Sequence, residues 1–479
     1  MREAAAEVRD AIAAHLHARA DLQSAEASGR DVALADRAAA RARAALGTGE
    51  GRERLEEAVS TRALDEASYG ALLEHLGGVA EDEVLARHSV KVTRASSDRV
   101  VVEDRERTLV ELAMDARDPA PPRARAALAA LLAHTGRDRA ARLEAWNEVS
   151  ERRARIRSRG PRMPDDAQGD LSARASAFLD ATDDAAADLV ERAHHAVGAP
   201  SLATRVAALA PLALDGALPA RGRTRRIGAV LESLGLEGEL RDRISLAPTR
   251  VFTLRPDIVR RGAHATVLVS DLEAGVVSER AMFWALAQAL THVLFSRSLP
   301  VEHAHAPRAS VARSVGALFG AFLSHESLVR RHVDAAPAAR ARVVLSSSLA
   351  IVLEARLACV RAMAGEVEAR TDAHARELAA RALVLDPSLM DAELARSSWI
   401  SPTDAETDLR AVLAALAWAP ALRERYDEDF FRNPRLADFL RGAAARGGLA
   451  SAEGISDELG ATPAHAALRV VELAERAGG

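Results

Sequence analysis

The sequence predicts a mainly α chain that carries one small β-sheet or ribbon beside a long apolar helix. Three observations predict it. Alanine, leucine and arginine, all strong helix formers, dominate most of the 479 residues. Apolar side chains return at three- and four-residue spacing through nearly every segment. The β-branched runs of strand length, VFTL and ATVLVS, are confined to residues 249–270, just before ERAMFWALAQALTHVLF at 279–295.

In chain order, EVRDAIAAHLHARADLQSAEA, DVALADRAAARARAALG and ASYGALLEHLGG read as helices, punctuated by glycines at 47, 49, 77 and 78. The region HSVKVTRASSDRVVVEDRERTLVELAMD, from His88 to Asp115, suits an irregular or strand-like pair, and helices resume at PPRARAALAALLAHTG. Pro, Gly and Asp between 155 and 171 predict a loop, followed by a helix through DLSARASAFLDATDDAAADLVERAHHAVG. After a connection through PLALDGALPARGRTRRIG, the segment AVLESLGL is again helical. From 306 onward the chain is helical almost to its end, broken at AAPAA, LDPSLMD, ISPTD, FFRNPR and ARGGLAS, with a capped helix expected near SAEGISDELGATP. The expected division is a helical N-terminal lobe at 1–215 and a second lobe at 216–479. That second lobe holds the sheet near 249–270 and the helix at 279–295. No repeat period is present.

A net charge of -5 gives no general pull toward nucleic acid, and 3% aromatic residues leave few stacking platforms. Lys91 is the only lysine. The one dense basic run, ARGRTRRIG at 220–228, suits a solvated loop or contact with an acidic partner. Cys359 is the single cysteine, in an apolar helical run where a buried thiol is expected. Lacking a second cysteine, an apolar leader region and any run of 18 uninterrupted apolar residues, the chain is expected in the cytoplasm, away from membranes. Phosphate-cradling glycine loops and a nucleophile elbow are absent.

A zinc peptidase helix carries His-Glu-x-x-His, which sets two imidazoles on one face and a carboxylate beside them to polarise water. The window 284–288 reads Trp284, Ala285, Leu286, Ala287 and Gln288. None of the three tasks can be done by these side chains.

Residues 283–329, FWALAQALTHVLFSRSLPVEHAHAPRASVARSVGALFGAFLSHESLV, nevertheless resemble the core of zinc metallopeptidases of the thimet oligopeptidase and oligoendopeptidase F type. Relatives have a phenylalanine before the motif, an SLP turn after it, and a downstream helix supplying a glutamate ligand. A second stretch, DLRAVLAALAWAPALRERYDEDFFRNPRLADFLRG at 408–442, resembles their helix with a substrate-facing tyrosine and the NP/DFLR segment beyond it. The resemblance implies a zincin-like metallopeptidase fold, a large helical clamshell whose small sheet lies beside the former active-site helix. In that register the first ligand falls on Trp284, the catalytic glutamate on Ala285, the second ligand on Gln288, the third on Arg313 and the tyrosine on Asp408.

The resemblance therefore implies a catalytically inactive homologue that has lost zinc, takes no other cofactor, and keeps a peptide or protein partner along its edge strand. A lone cation at Arg313 would repel a divalent ion by several kcal/mol at roughly 4–5 Å in an effective dielectric of about 20. Two alternatives stay open. One is an active metallopeptidase with a relocated site built from His292, His303 and His305, with Glu302 nearby. The other is a helical scaffold unrelated to peptidases. His325 and His332 read as members of a solvated helix face.

Overall fold

The architecture is taken from a computed structural model, which describes residues 2–46, 48–61, 64–88, 94–95, 99–118, 121–136, 139–157, 171–195, 202–249, 251–252, 256–269, 274–306, 310–365, 372–389 and 402–476. The loop expected at 155–171 lies outside these residues from 158 to 170, as do residues 253–255, which include the second half of the VFTL run, and residues 390–401.

Four helices open the chain: α1 (Arg2–Ser28), α2 (Val32–Leu46), α3 (Thr48–Ser60) and α4 (Glu66–Arg87). Asp65 starts α4 by accepting a hydrogen bond from the Ser68 amide at 2.8 Å, satisfying a donor that the first turn leaves free. Ile12, Leu55, Leu72 and Leu76 close their shared core. The pair expected between His88 and Asp115 is present in part as a hairpin. After β1 (Arg94–Ala95), strands β2 (Arg99–Val102) and β3 (Arg105–Thr108) pair antiparallel. Glu103 and Asp104 both take positive φ between them, the backbone that a two-residue hairpin loop demands. Thr108 and Glu111 then form a capping box for α5 (Leu109–Asp115).

Helices α6 (Pro121–Gly136), α7 (Arg139–Arg157), α8 (Leu171–His195), α9 (Leu202–Leu209), α10 (Arg223–Ser233) and α11 (Glu237–Arg243) lead to the sheet. Its strands are β4 (Ile244–Pro248), β6 (Asp257–Arg261) and β7 (His264–Val269), and β5 (Val251–Phe252) belongs to a separate two-stranded ladder. β7 is central, parallel to β4 and antiparallel to β6, while β5 pairs with β1. Gly262 at φ 59 makes the tight turn between β6 and β7. The sequence had offered two strand-like runs here, and β4 was not among them.

The helical half comprises α12 (Val276–Leu294), α13 (Val301–Ala304), α14 (Ser310–Gly320), α15 (Glu326–His332), α16 (Pro337–Gly365), α17 (Asp372–Leu383), α18 (Pro402–Tyr426), α19 (Pro434–Ala445), α20 (Ala452–Leu459) and α21 (Pro463–Arg476). Their apolar faces merge with those of α8 and α10 into the largest core. α16 is long and apolar enough to cross a membrane by length and composition, but 83% of its most apolar window is buried in the protein, as suits a core helix.

At one end of this core five phenylalanines meet. Phe322 is fully buried and packs its ring against Phe283, Phe319, Phe430 and Phe431, with centroids 4.4–6.2 Å apart. His325, read from the sequence as part of a solvated face, is instead 4% exposed inside this cage, with Arg469 Nη2 3.5 Å from its Nε2. It precedes α15 rather than lying on its outer face. Burial first, and then Arg469, Arg476 and Arg423, hold it neutral. The basic run at 220–228 also departs from the expected solvated loop. Arg223 and Arg226 belong to α10 and pair with Glu279, which is 1% exposed.

Truncating Phe322 to alanine is expected to cost about 3–5 kcal/mol, because the aromatic neighbours are too rigidly placed to refill the space. Urea unfolding checks this, and a loss below about 1 kcal/mol would mean that the cage collapses around the gap.

Candidate functional site

α12 is apolar on nearly all faces, so it must lie inside the protein, and the sequence around it has to supply room. That room comes from α14. Trp284 is 5% exposed and its indole lies over Gly316 and Gly320, one turn apart on the facing helix. A Cβ at position 316 would stand 2.7 Å from Cδ1 and 2.8 Å from Nε1 of the indole, and one at 320 would be 3.2 Å from Cε3. The Trp284 carbonyl oxygen is itself 3.0 Å from the 316 Cβ position. The two glycines are thus what lets a tryptophan stand between closely packed helices. The signal was present in SVGALFGAF as glycines four apart, a spacing that places both on one helix face.

Around the indole the core is narrow. A cavity of about 20 Å³ abuts it, closed by α16, α18 and α21 and rimmed by Arg280, Glu354 and Arg469. That is room for about one water molecule. Arg280 donates to the Gly320 carbonyl and to Glu354, each at 3.0 Å. Ala285 is 2% exposed, and Gln288, one turn beyond Trp284, is half-buried.

Arg313 stands one turn before Gly316 on α14. Its Nη1 donates to Asp408 Oδ1 on α18 at 2.6 Å, with the two side chains 24% and 16% exposed. This changes one expectation. Arg313 is no lone cation repelling a metal, since its charge is matched by Asp408, the other residue that the resemblance marks as replaced.

The three histidines of the relocated-site reading do not gather. His303 is 4% exposed and points to α4, with Nε2 3.4 Å from the Ser68 hydroxyl. His292 and His305 instead share the neighbourhood of Arg260. Glu302 is fully buried and its carboxylate is held by Arg9 of α1, through Nε at 3.1 Å and through Nη2. Among the described residues, no three His, Cys, Asp or Glu side chains come together in a way that could hold a metal ion. Cys359 is buried, and burial pushes its thiol up to about 12, so it offers no thiolate.

No family model matches the sequence, and no curated protein matches it. Solved structures do match. PZ peptidase A, in a structure with an inhibitor, superposes with a TM-score of 0.63 at 12% identity, over 99% of this chain and 97% of that one. A carboxypeptidase of Pyrococcus furiosus gives 0.60 at 13% identity, over 98% of both chains. A Bacillus anthracis structure described as an oligoendopeptidase F gives 0.59 at 12% identity, over 90% of this chain and 82% of that one. The chain therefore has the mainly helical, zincin-like clamshell fold.

Two predictions follow from this geometry. Gly316→Ala should destabilise the protein by about 1–3 kcal/mol despite alanine's better helix propensity, because backbone and indole both block the methyl group. In a Trp284→Ala background the same change should be tolerated, and a double-mutant cycle measures the coupling. The second prediction concerns acid. Burial, reinforced by His305 and Arg260, holds His75 at about 3, against the opposing influence of the Glu302 backbone and Glu74. Burial and Arg260 hold His305 at about 4. Both are neutral in the fold, whereas the unfolded chain takes up protons near pH 6.5. Their contribution is complete above that pH and is lost as pH falls toward 4 and then 3. At pH 5 the His75 share alone weakens folding by roughly thirtyfold. Urea midpoints at pH 7 and pH 5 should fall accordingly, and fall less in a His75→Gln variant.

Proposed function

We propose that the chain is a non-catalytic relative of the zinc oligopeptidases whose retained role is to bind a peptide or protein partner. One observation carries the reading. Positions 284, 313 and 408, which the resemblance assigns to two metal ligands and a substrate-facing tyrosine, lie on three helices whose packing involves all of them. They are occupied by an indole wedged against glycine and by a closed ion pair. Such an arrangement suits a packed core and gives zinc no ligand set, since indole does not coordinate a metal, a guanidinium has no free electron pair at neutral pH, and the single carboxylate, Asp408, is held by Arg313.

The sheet supports the binding part of the proposal. β4 is its outer strand, with Ser245, Leu246 and Pro248 exposed, and Arg243 just before it ties the strand to α12 through the Val293 carbonyl at 3.0 Å. An extended peptide can add to such an edge through backbone hydrogen bonds alone, with no metal required. On this reading the partner is met in the cytoplasm, and neither nucleic acid nor membrane is involved.

Metal analysis of the purified protein together with a peptide-cleavage assay tests the proposal. The expected result is no stoichiometric zinc and no chelator-sensitive cleavage. One tightly held zinc per chain with such cleavage would overturn it. Restoration tests the register. Because Arg313→Glu alone would set a second carboxylate against Asp408, the substitutions belong together: Trp284→His, Ala285→Glu, Gln288→His, Arg313→Glu and Asp408→Tyr. A folded variant of this kind is expected to take up about one zinc per chain by calorimetric titration, in the manner of a catalytic site with three protein ligands. A folded variant that takes up none would show the assignment of positions to be wrong.

A further inference from the structure

The C-terminal end of α12 holds a cation without a carboxylate. Most buried or half-buried arginines of this protein are neutralised by an acid: Arg117 by Asp215, Arg153 by Glu81, Arg356 by Asp183 and Arg410 by Glu453. Arg260, on β6, has no such partner among the described residues. Its Nη2 donates to the Ala304 carbonyl at 2.7 Å, and its guanidinium carbon lies 5.6 Å from the centroid of the Phe295 ring. His292 meets the same ring edge-on at 5.4 Å, and His305 follows directly after the carbonyl that holds Arg260. Phe295 thus carries the Arg260 guanidinium and the His292 imidazole on one ring, with His305 next in sequence to the residue whose carbonyl holds that guanidinium.

The nitrogens around this ring are under-used. His292 Nδ1 is buried and has no hydrogen-bond partner. Behind it, His75 of α4 is 4% exposed; it engages the Glu302 backbone and leaves Nε2 buried and unpartnered. The charges facing the group are mostly positive. Arg260 and His305 act on His75 and His292, Arg313 acts on His292 from α14, and Glu74 is the carboxylate that reaches His75. Glu302, the nearest acid in sequence, is taken by Arg9. His292 and His305 are both half-buried residues.

We propose that Arg260, His292 and His305 form a binding site for a small oxyanion, a phosphate or a carboxylate, at the C-terminal end of α12. A guanidinium offers several donors in one plane, and an imidazole beside it adds an N–H directed at the same oxygen atoms. The bound anion would also stabilise the imidazolium form of its neighbours, so binding is linked to proton uptake and tightens as pH falls. The site is independent of whether the chain ever held zinc.

Calorimetric titration and thermal shift with inorganic phosphate, acetate and chloride at matched ionic strength test this at pH 7.5 and 6.5. Phosphate, acetate or both should bind saturably, more tightly at pH 6.5, and beyond any effect of chloride. Binding by phosphate alone assigns a phosphate, and binding by acetate alone assigns a carboxylate group. Arg260→Gln and, separately, the half-buried His305→Gln should each weaken the interaction at least about tenfold, since each removes a charge-assisted hydrogen bond. The exposed Arg225→Gln should leave it unchanged. If chloride reproduces the effect, if neither oxyanion binds, or if folded His305→Gln and Arg260→Gln bind as the wild type does, the site does not exist.

Discussion

The contact between Trp284 and the Gly316–Gly320 face of α14 is the constraint on which the rest of the structure depends. A helix as apolar as α12 is stable only when surrounded, and its neighbours approach closely only if one side gives up its side chains. α14 does so with two glycines, at some cost in helix propensity, and the indole occupies the volume released. With that distance set, α18 and α16 close over the remaining faces and leave a cavity of about 20 Å³. The phenylalanine cage at 283, 319, 322, 430 and 431 continues the same packed layer toward α15 and α19.

Charge inside the protein follows from its use of arginine. A guanidinium stays protonated at any ordinary pH, so each one drawn into the core requires acceptors in fixed places. Arg356 has them in Asp183, the Thr182 hydroxyl and the carbonyls of Leu179, Arg381 and Ala382. Arg313 and Asp408 obey the same rule, which is why they are best understood as one feature rather than two replacements. Removing either alone would strand the other charge in a partly desolvated place. Arg205 and Arg260 are held by main-chain carbonyls, of Val384 and Ala304, in place of a carboxylate.

A fold can persist at 12% identity because packing constrains volume and period far more than it constrains chemistry. On the function proposed above, the residues that perform hydrolysis in relatives are not required here, and their positions are free to take whatever fills them best. At 284 that is a large aromatic side chain. At 313 and 408 it is a pair of opposite charges, each acceptable only in the presence of the other.

The helical class and the placement of strands before α12 were legible in the sequence, because each rests on local periodicity or on spacing along the chain. β4 was not, since its ISLAP segment is short and unremarkable until β7 lies beside it. His325 and the arginines of α10 were misjudged for one reason: burial of a polar side chain is decided by what packs against it, and those neighbours lie on α21 and α12. Sequence alone also grouped His292, His303 and His305 by proximity, whereas the turn through α13 sends His303 toward Ser68 and leaves the other two with Arg260. Residue types and their spacing thus determined the helical class and the strands that precede the space beside α12. Only the tertiary packing of α12 on α14 decided that an indole, and a paired arginine beside it, would stand in that space.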